Sequence, residues 1–137
     1  MVDAIERYCA ASEANDIDAL METLAPGAEL VSPISGRMVF RGEKDVRILL
    51  TAVYGSLKGW RWGERVGGEG STRLILGDGK IGPVKLGDAM VLELAEDGRI
   101  QRVRPYLRPW LGLTVFAMLL GPKVALHPGL VLRALRG

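Results

Sequence analysis

Apolar residues recur at helical spacing in three stretches near the start of the chain. The first predicted helix presents Ile5, Tyr8, Cys9 and Ser12 on one face. The second covers Asp16–Leu24, where Asp16 is suited to cap the helix and Pro26-Gly27 to stop it. The third runs from about Glu43 to Gly55. Its apolar face consists of Val46, Leu49, Leu50, Val53 and Tyr54.

Period-two patterns and turn residues then replace the helical spacing. A short strand is predicted over Ala28–Ile34, and four longer ones over Trp60–Val66, Thr72–Ile81, Val84–Leu94 and Arg99–Leu107. The predicted turns are Gly67-Gly68, Asp78-Gly79 and Asp97-Gly98. Helices followed by hairpins favour an α+β fold, with the helices on one face of a bent antiparallel sheet.

The end of the chain changes character again. Trp110–Leu120 and Val124–Leu135 are predicted as two short helices, broken at Gly121-Pro122, with a further turn at Pro128-Gly129. The apolar run 110–121 is shorter than the ~20 residues of a membrane span. We therefore expect one domain, residues 1–108, and a helical extension, residues 109–137.

One acidic residue interrupts an apolar strand face. Because strand side chains alternate, one face of the same strand carries Val84, Leu86, Asp88, Met90, Leu92 and Leu94. A two-residue Asp97-Gly98 turn would set Asp88 opposite Leu107. Apolar surroundings raise the pKa of a carboxyl group, which makes Asp88 a candidate acid or base. Alternatively, Asp88 lies at a strand end, solvated, bonded to backbone or paired with a tail arginine.

The charge is distributed unevenly. Residues 1–97 carry 11 basic and 16 acidic side chains, whereas residues 98–137 carry 7 basic and none acidic. A basic tail attracts anionic partners, solvates an apolar segment or pairs with the acidic body. The single cysteine, Cys9, excludes an intrachain disulfide, and no leader pattern opens the sequence. We expect a cytoplasmic protein without a nucleic-acid partner.

Three stretches, in this order of elements, resemble the NTF2-like (cystatin-like) superfamily over about residues 3–108. They are Tyr8–Pro33 (YCAASEANDIDALMETLAPGAELVSP), Phe40-Arg41-Gly42 and Asp97-Gly98-Arg99-Ile100. That superfamily includes ketosteroid isomerases, limonene epoxide hydrolases and SnoaL-like polyketide cyclases. The resemblance implies a curved antiparallel sheet and three helices that form a cone-shaped pocket. It also implies a small hydrophobic ligand and no metal or organic cofactor.

Of the three catalytic positions of the ketosteroid isomerases, only one has its usual residue in this sequence. Tyr8 falls on the helix-1 tyrosine that donates to the oxyanion, but Ser32 occupies the base position and Met90 that of the second donor. Serine is too weak a base and methionine donates no hydrogen bond. Asp88, one inward position from Met90, is the candidate replacement base. The catalytic aspartate of the epoxide hydrolases falls on Pro105, so their constellation is not matched either.

Other signals favour structural roles. Trp60 and Trp62 share a strand face and either line the pocket mouth or, as we favour, pack under a helix. The Gly77–Lys80 segment lacks P-loop spacing and is predicted to be a turn. His127 has no neighbouring metal ligands in the sequence. Glu93, facing Arg102, belongs to a solvated or dimer-forming face.

Two functions remain open. In the first, the protein is an isomerase, cyclase or hydratase with Asp88 as base or acid and Tyr8 as electrophilic donor. The Tyr8 hydroxyl is then expected to bond Asp88 or Ser32; alternatively, Tyr8 is a core residue whose hydroxyl reaches the surface. The predicted substrate contacts are Ser32, Met90, Val103, Leu107, Tyr54 and Trp60. In the second, the fold is a non-catalytic binding or dimerisation module. We expect a homodimer, with the extension capping the pocket or contacting the second subunit in preference to a membrane.

Overall fold

The computed structural model describes residues 3–35, 37–67 and 70–136. The helices in these ranges are α1 (Ala4–Glu13), α2 (Ile17–Glu22), α3 (Glu43–Ser56), α4 (Trp110–Ala125) and α5 (Pro128–Arg136). The strands are β1 (Leu24–Val31), β2 (Val39–Arg41), β3 (Leu57–Val66), β4 (Thr72–Ile81), β5 (Val84–Leu94), β6 (Ile100–Arg104) and β7 (Leu107–Arg108). The predicted α+β class is confirmed, as are the three N-terminal and two C-terminal helices.

The strands form one curved, open sheet in the order β2-β1-β6-β5-β4-β3, and β7 pairs with β5 beyond the end of β6. The pairs are antiparallel except β1 with β6, which run parallel. The short strand β2, which the sequence pattern did not reveal, buries Phe40 beside β1. The core between helices and sheet includes the fully buried side chains Tyr8, Leu20, Leu50, Ile75 and Leu92.

Two helices end at a residue other than the predicted one, because the residues that follow them belong to strands of the sheet. Asp16 caps α2 by accepting the Ala19 N–H at 3.1 Å, as predicted. The helix nevertheless stops at Glu22, since Leu24 already pairs with Ile100 in the sheet. In the same way α3 continues through Gly55 and passes directly into β3 at residue 57, three residues earlier than expected.

The predicted Asp78-Gly79 turn was wrong, because β4 runs straight through it to Ile81. The glycines at 77 and 79 make room for aromatic rings instead. A Cβ on Gly77 would lie 2.5 Å from the Trp62 ring, and one on Gly79 would lie 2.8 Å from the Trp60 ring. The two rings meet edge to face, with centroids 5.4 Å apart. The β4–β5 turn is Gly82-Pro83, and Gly68 of the predicted Gly67-Gly68 turn lies outside the described residues.

The turn after β5 also differs, although the register beyond it is the predicted one. Ala95 accepts the Gly98 N–H and donates to the Arg99 carbonyl, which makes a three-residue loop with Gly98 at φ +87°. One extra residue in β6, Gln101, then forms a bulge that restores the alignment. Beyond the bulge, the pairing of the two strands is therefore the predicted one, and Asp88 faces Leu107.

The extension forms a longer first helix than predicted. α4 continues past Gly121-Pro122 to Ala125, and the chain bends at 126–127, so that Pro128 begins α5 instead of forming a turn. Pro122 lies inside the exposed last turn of this helix, where it cannot donate a backbone hydrogen bond to the Met118 carbonyl. α5 is fastened to α3 by Arg133, whose guanidinium donates two 2.8 Å hydrogen bonds to the carboxylate of buried Asp45.

The length and apolar character of the described helices also bear on membranes. No single one of them is long and apolar enough to cross a bilayer. α4 and α5 together reach the necessary length and composition, but their axes are bent by 108° at the break.

Candidate functional site

A cavity of about 340 Å³ lies between the sheet, α3 and the C-terminal helices. Its apolar wall includes Leu30, Met38, Phe40, Leu49, Leu50, Val53, Leu57, Leu86, Met90, Leu107, Phe116, Leu120, Val124 and Val131. Four of these residues belong to α4 and α5, so the extension forms one side of the cavity. Within a single chain, the extension therefore contributes to the cavity wall.

Asp88 is the only charged side chain among the described residues that line this cavity. It lies on the buried face of β5, between Leu86 and Met90, and is 8% exposed. Burial raises the pKa of Asp88 from 3.8 to about 7, and a hydrogen bond from backbone partly opposes that rise. Its carboxyl group therefore gains and loses its proton near neutral pH, in the range that favours general acid–base catalysis.

The backbone around Pro105 supplies the hydrogen bond to Asp88. Proline has no amide hydrogen, and the predicted strand Arg99–Leu107 is split into β6 and β7 at Pro105-Tyr106. The Tyr106 N–H donates to Asp88 Oδ1 at 3.2 Å, while the Tyr106 carbonyl accepts from Ala89. No ion pair joins Asp88 to a tail arginine within the described residues, so its one recorded partner is this amide.

A pair of tyrosines adjoins the cavity. The Tyr8 and Tyr54 hydroxyl oxygens are 2.8 Å apart, and their rings meet edge to face with centroids at 6.4 Å. Tyr54 lines the cavity, whereas Tyr8 is fully buried and does not appear in the wall. Burial raises the pKa of both phenols, and the Asp88 charge raises it further. Both hydroxyls therefore keep their protons at neutral pH.

This pairing corrects the expectation for Tyr8. Its hydroxyl bonds neither Asp88 nor Ser32 but Tyr54, because α3 brings Tyr54 between α1 and the cavity. Of the two tyrosines, only Tyr54 consequently lies where it can contact a ligand in the cavity. Tyr8 can act on a ligand only through Tyr54.

The remaining predicted contacts fall into two groups. Ser32, Met90, Leu107, Tyr54 and Trp60 all line the cavity. Val103 does not, because it pairs with Leu92 in the solid core. The Ser32 oxygen accepts the N–H groups of Ile34 and Ser35, and thereby shapes the turn after β1.

The two tryptophans have separate environments. Trp62 packs under α1, where its indole N–H donates to Ser12 Oγ at 2.7 Å. Trp60 lines the cavity, and its buried indole N–H has no partner among the described residues. Sequence alternation placed both rings on one face but could not tell which one adjoined the cavity.

Other charged groups lie away from the cavity. Glu93 faces Arg102 across the strands, as predicted, but its ion pair is with Arg104, while Arg102 pairs with Glu29. His127 is exposed in the bend between α4 and α5. The described residues contain no cluster of three or more His, Cys, Asp or Glu side chains that could hold a metal ion.

No protein-family model and no curated protein matches this sequence. Solved structures do match it. A protein with a cystatin-like fold from Silicibacter pomeroyi DSS-3 superposes with a TM-score of 0.86 at 19% identity, covering 96% of this chain and 93% of the other. A steroid delta-isomerase from Pseudomonas aeruginosa gives 0.81 at 19% identity, covering 92% of both chains.

A third similar structure, a putative polyketide cyclase from Sinorhizobium meliloti, gives a TM-score of 0.62 at 22% identity, covering 77% of this chain and 94% of the other. At such identities the comparison establishes the fold. The predicted NTF2-like, cystatin-like fold is therefore confirmed.

Proposed function

We propose that this protein binds a small, largely apolar molecule in the cavity and catalyses a cofactor-free proton transfer on it with Asp88. The observation that carries the proposal is the one carboxyl group, with a pKa of about 7, in the largely apolar wall that the described residues form. A cavity of about 340 Å³ lies within the ~300–1,000 Å³ range of small-molecule sites. Similar folds in a steroid delta-isomerase and a putative polyketide cyclase support the same class of ligand.

The residues suggest a division of labour. Asp88 Oδ1 accepts the Tyr106 N–H, so the other oxygen, Oδ2, takes a proton from a carbon next to a substrate carbonyl. The Tyr54 hydroxyl donates to the carbonyl oxygen as negative charge develops there, and Tyr8 donates to Tyr54. Return of the proton from Asp88 to another carbon completes an isomerisation. In the alternative reactions, a cyclisation or a hydration, protonated Asp88 acts as the acid and donates its proton to the substrate.

The test uses a simple carbon acid in place of the unknown substrate. The bicyclic ketone 2-tetralone is incubated with the protein in D2O, and exchange of its α-hydrogens is followed by NMR. We expect exchange above the buffer rate, increasing as pH rises through about 7 because the ionised carboxylate is the base. Asp88→Asn should lower the rate by about 100-fold or more.

A matched variant separates chemistry from general damage. Asp78→Asn makes the same change on an exposed aspartate of β4 and should leave exchange unaltered. Equal rates for the wild type and Asp88→Asn would refute the catalytic role. Binding of the ketone, seen by ligand-observed NMR, without any exchange would leave the rival non-catalytic binding module in its place.

A further inference from the structure

One side of α4 is apolar, yet none of the described residues covers it. Gly112, Phe116 and Leu120 point one way and are buried, in keeping with helical spacing. The opposite side carries exposed Trp110, Leu111, Thr114 and Met118, and Leu126 follows at the end of the helix. Trp110 is 76% exposed and Met118 69%. We call this surface, residues 110, 111, 114, 118, 121, 125 and 126, the α4 face.

The cavity reaches the surface beside the α4 face. Gly121 and Ala125 are exposed on α4 and also line the cavity, as does exposed Ile34 in the turn after β1. The space at Gly121 is open, because a Cβ built there would meet no atom within 4 Å. The cavity is therefore partly open to solvent between this turn and the last turns of α4.

The charged side chains of the C-terminal part of the chain have one sign. Residues 98–137 contain no acidic side chain. Exposed Arg108 precedes the helix, and exposed Lys123 lies in its last turn, where its ammonium group donates to Ser56 Oγ at 2.6 Å. Exposed apolar side chains with basic groups at their margins favour an anionic lipid surface, which binds both.

We propose that the α4 face docks on the surface of an anionic lipid bilayer, so that an apolar ligand enters the cavity directly from the lipid. A second copy of the chain fits this face less well. Symmetric pairing would bring like charges of the two copies together and would cover the open mouth at Gly121. The docking stands independently of the chemistry in the cavity, and only the route of the ligand rests on the proposed function.

The experiment measures binding of the full chain to vesicles. Sedimentation is compared for phosphatidylcholine vesicles and for vesicles that contain about 30% phosphatidylserine, at low and high salt. We expect binding to the anionic vesicles, a blue shift of Trp110 fluorescence, and weaker binding at about 0.5 M salt than at about 0.1 M. Met118→Glu removes a membrane contact without touching the core and should weaken binding about tenfold or more.

The controls distinguish a lipid bilayer from a second copy of the chain as the partner of the α4 face. Val66→Glu introduces the same charge on an exposed apolar residue of β3 and should leave vesicle binding unchanged. Absence of vesicle binding, or equal losses in both glutamate variants, would overturn the proposal. So would a dimer in light scattering that Met118→Glu dissociates, because the α4 face would then belong to a second copy. Asp88→Asn should bind vesicles like the wild type, so failure of catalysis and failure of docking remain distinguishable.

Discussion

Replacing Asp88 with asparagine should make the protein more stable, and increasingly so as the pH rises. The folded protein holds the Asp88 proton up to a pKa of about 7, whereas the carboxyl group has an ordinary value of 3.8. Between these values the folded state binds more protons than the unfolded chain, so this group makes wild-type stability fall with increasing pH. Below about pH 4 the stability from the retained proton is fully present, and above pH 7 it is lost.

The magnitude follows from the size of the pKa change. Each pKa unit corresponds to ~1.4 kcal/mol, so burial of the Asp88 charge costs at most about 4 kcal/mol at pH 8. Asparagine has the shape of the protonated acid and keeps an oxygen to accept the Tyr106 N–H. The Asp88→Asn variant therefore avoids the cost of ionisation.

The assay is urea unfolding of both proteins at several pH values from about 4 to 8. The stability of Asp88→Asn relative to the wild type should increase by up to about 4 kcal/mol across this range. Asp78→Asn, on the exposed side of β4, should show no comparable trend. A constant difference between Asp88→Asn and the wild type at every pH would refute the assignment of a buried, neutral carboxyl group.

Three further predictions test the surroundings of the cavity. Gly77→Ala should lower the free energy of unfolding by about 1–3 kcal/mol in urea titrations, because its Cβ would clash with Trp62, while Gly63→Ala, with 3.6 Å of space, should not. Tyr54→Phe should cost about 1–3 kcal/mol by stranding the buried Tyr8 hydroxyl, and the Tyr8→Phe/Tyr54→Phe pair should cost less than the sum of the single changes. Arg133→Met should lower the melting temperature at neutral pH more than Arg136→Met does. Since Arg133 lowers the pKa of Asp45, this difference should shrink as acid protonates Asp45, and a difference independent of pH would contradict the ion pair.

Local pattern was sufficient for much of the fold. The inward position of Asp88 followed from alternation along β5, which tertiary contacts did not alter. The Asp97-Gly98 loop has three residues and not the predicted two, but the bulge at Gln101 restores the predicted strand pairing beyond it. In contrast, the predicted Asp78-Gly79 turn was wrong, because an Asp-Gly pair does not by itself distinguish a turn from a strand. Whether it serves a turn or makes room for a ring depends on Trp60, which is distant in sequence.

The candidate site was less accessible from sequence than the fold. The partner of Tyr8 depends on how α1 and α3 approach each other in space, which no spacing encodes. Similarly, the contribution of α4 and α5 to the cavity depends on where the extension packs. The one available signal was that α4 is apolar on every side, since a helix of this kind needs cover on more than one face.

The Trp60–Trp62 pair also gives this protein an intrinsic optical reporter. Two indole rings with centroids 5.4 Å apart and planes at 81° are close enough for their electronic transitions to couple, which adds to the circular dichroism of each ring. One member of the pair adjoins the cavity and the other is bonded to α1. Occupancy of the cavity can therefore be followed without a label, by the change that a bound molecule imposes on this coupled signal.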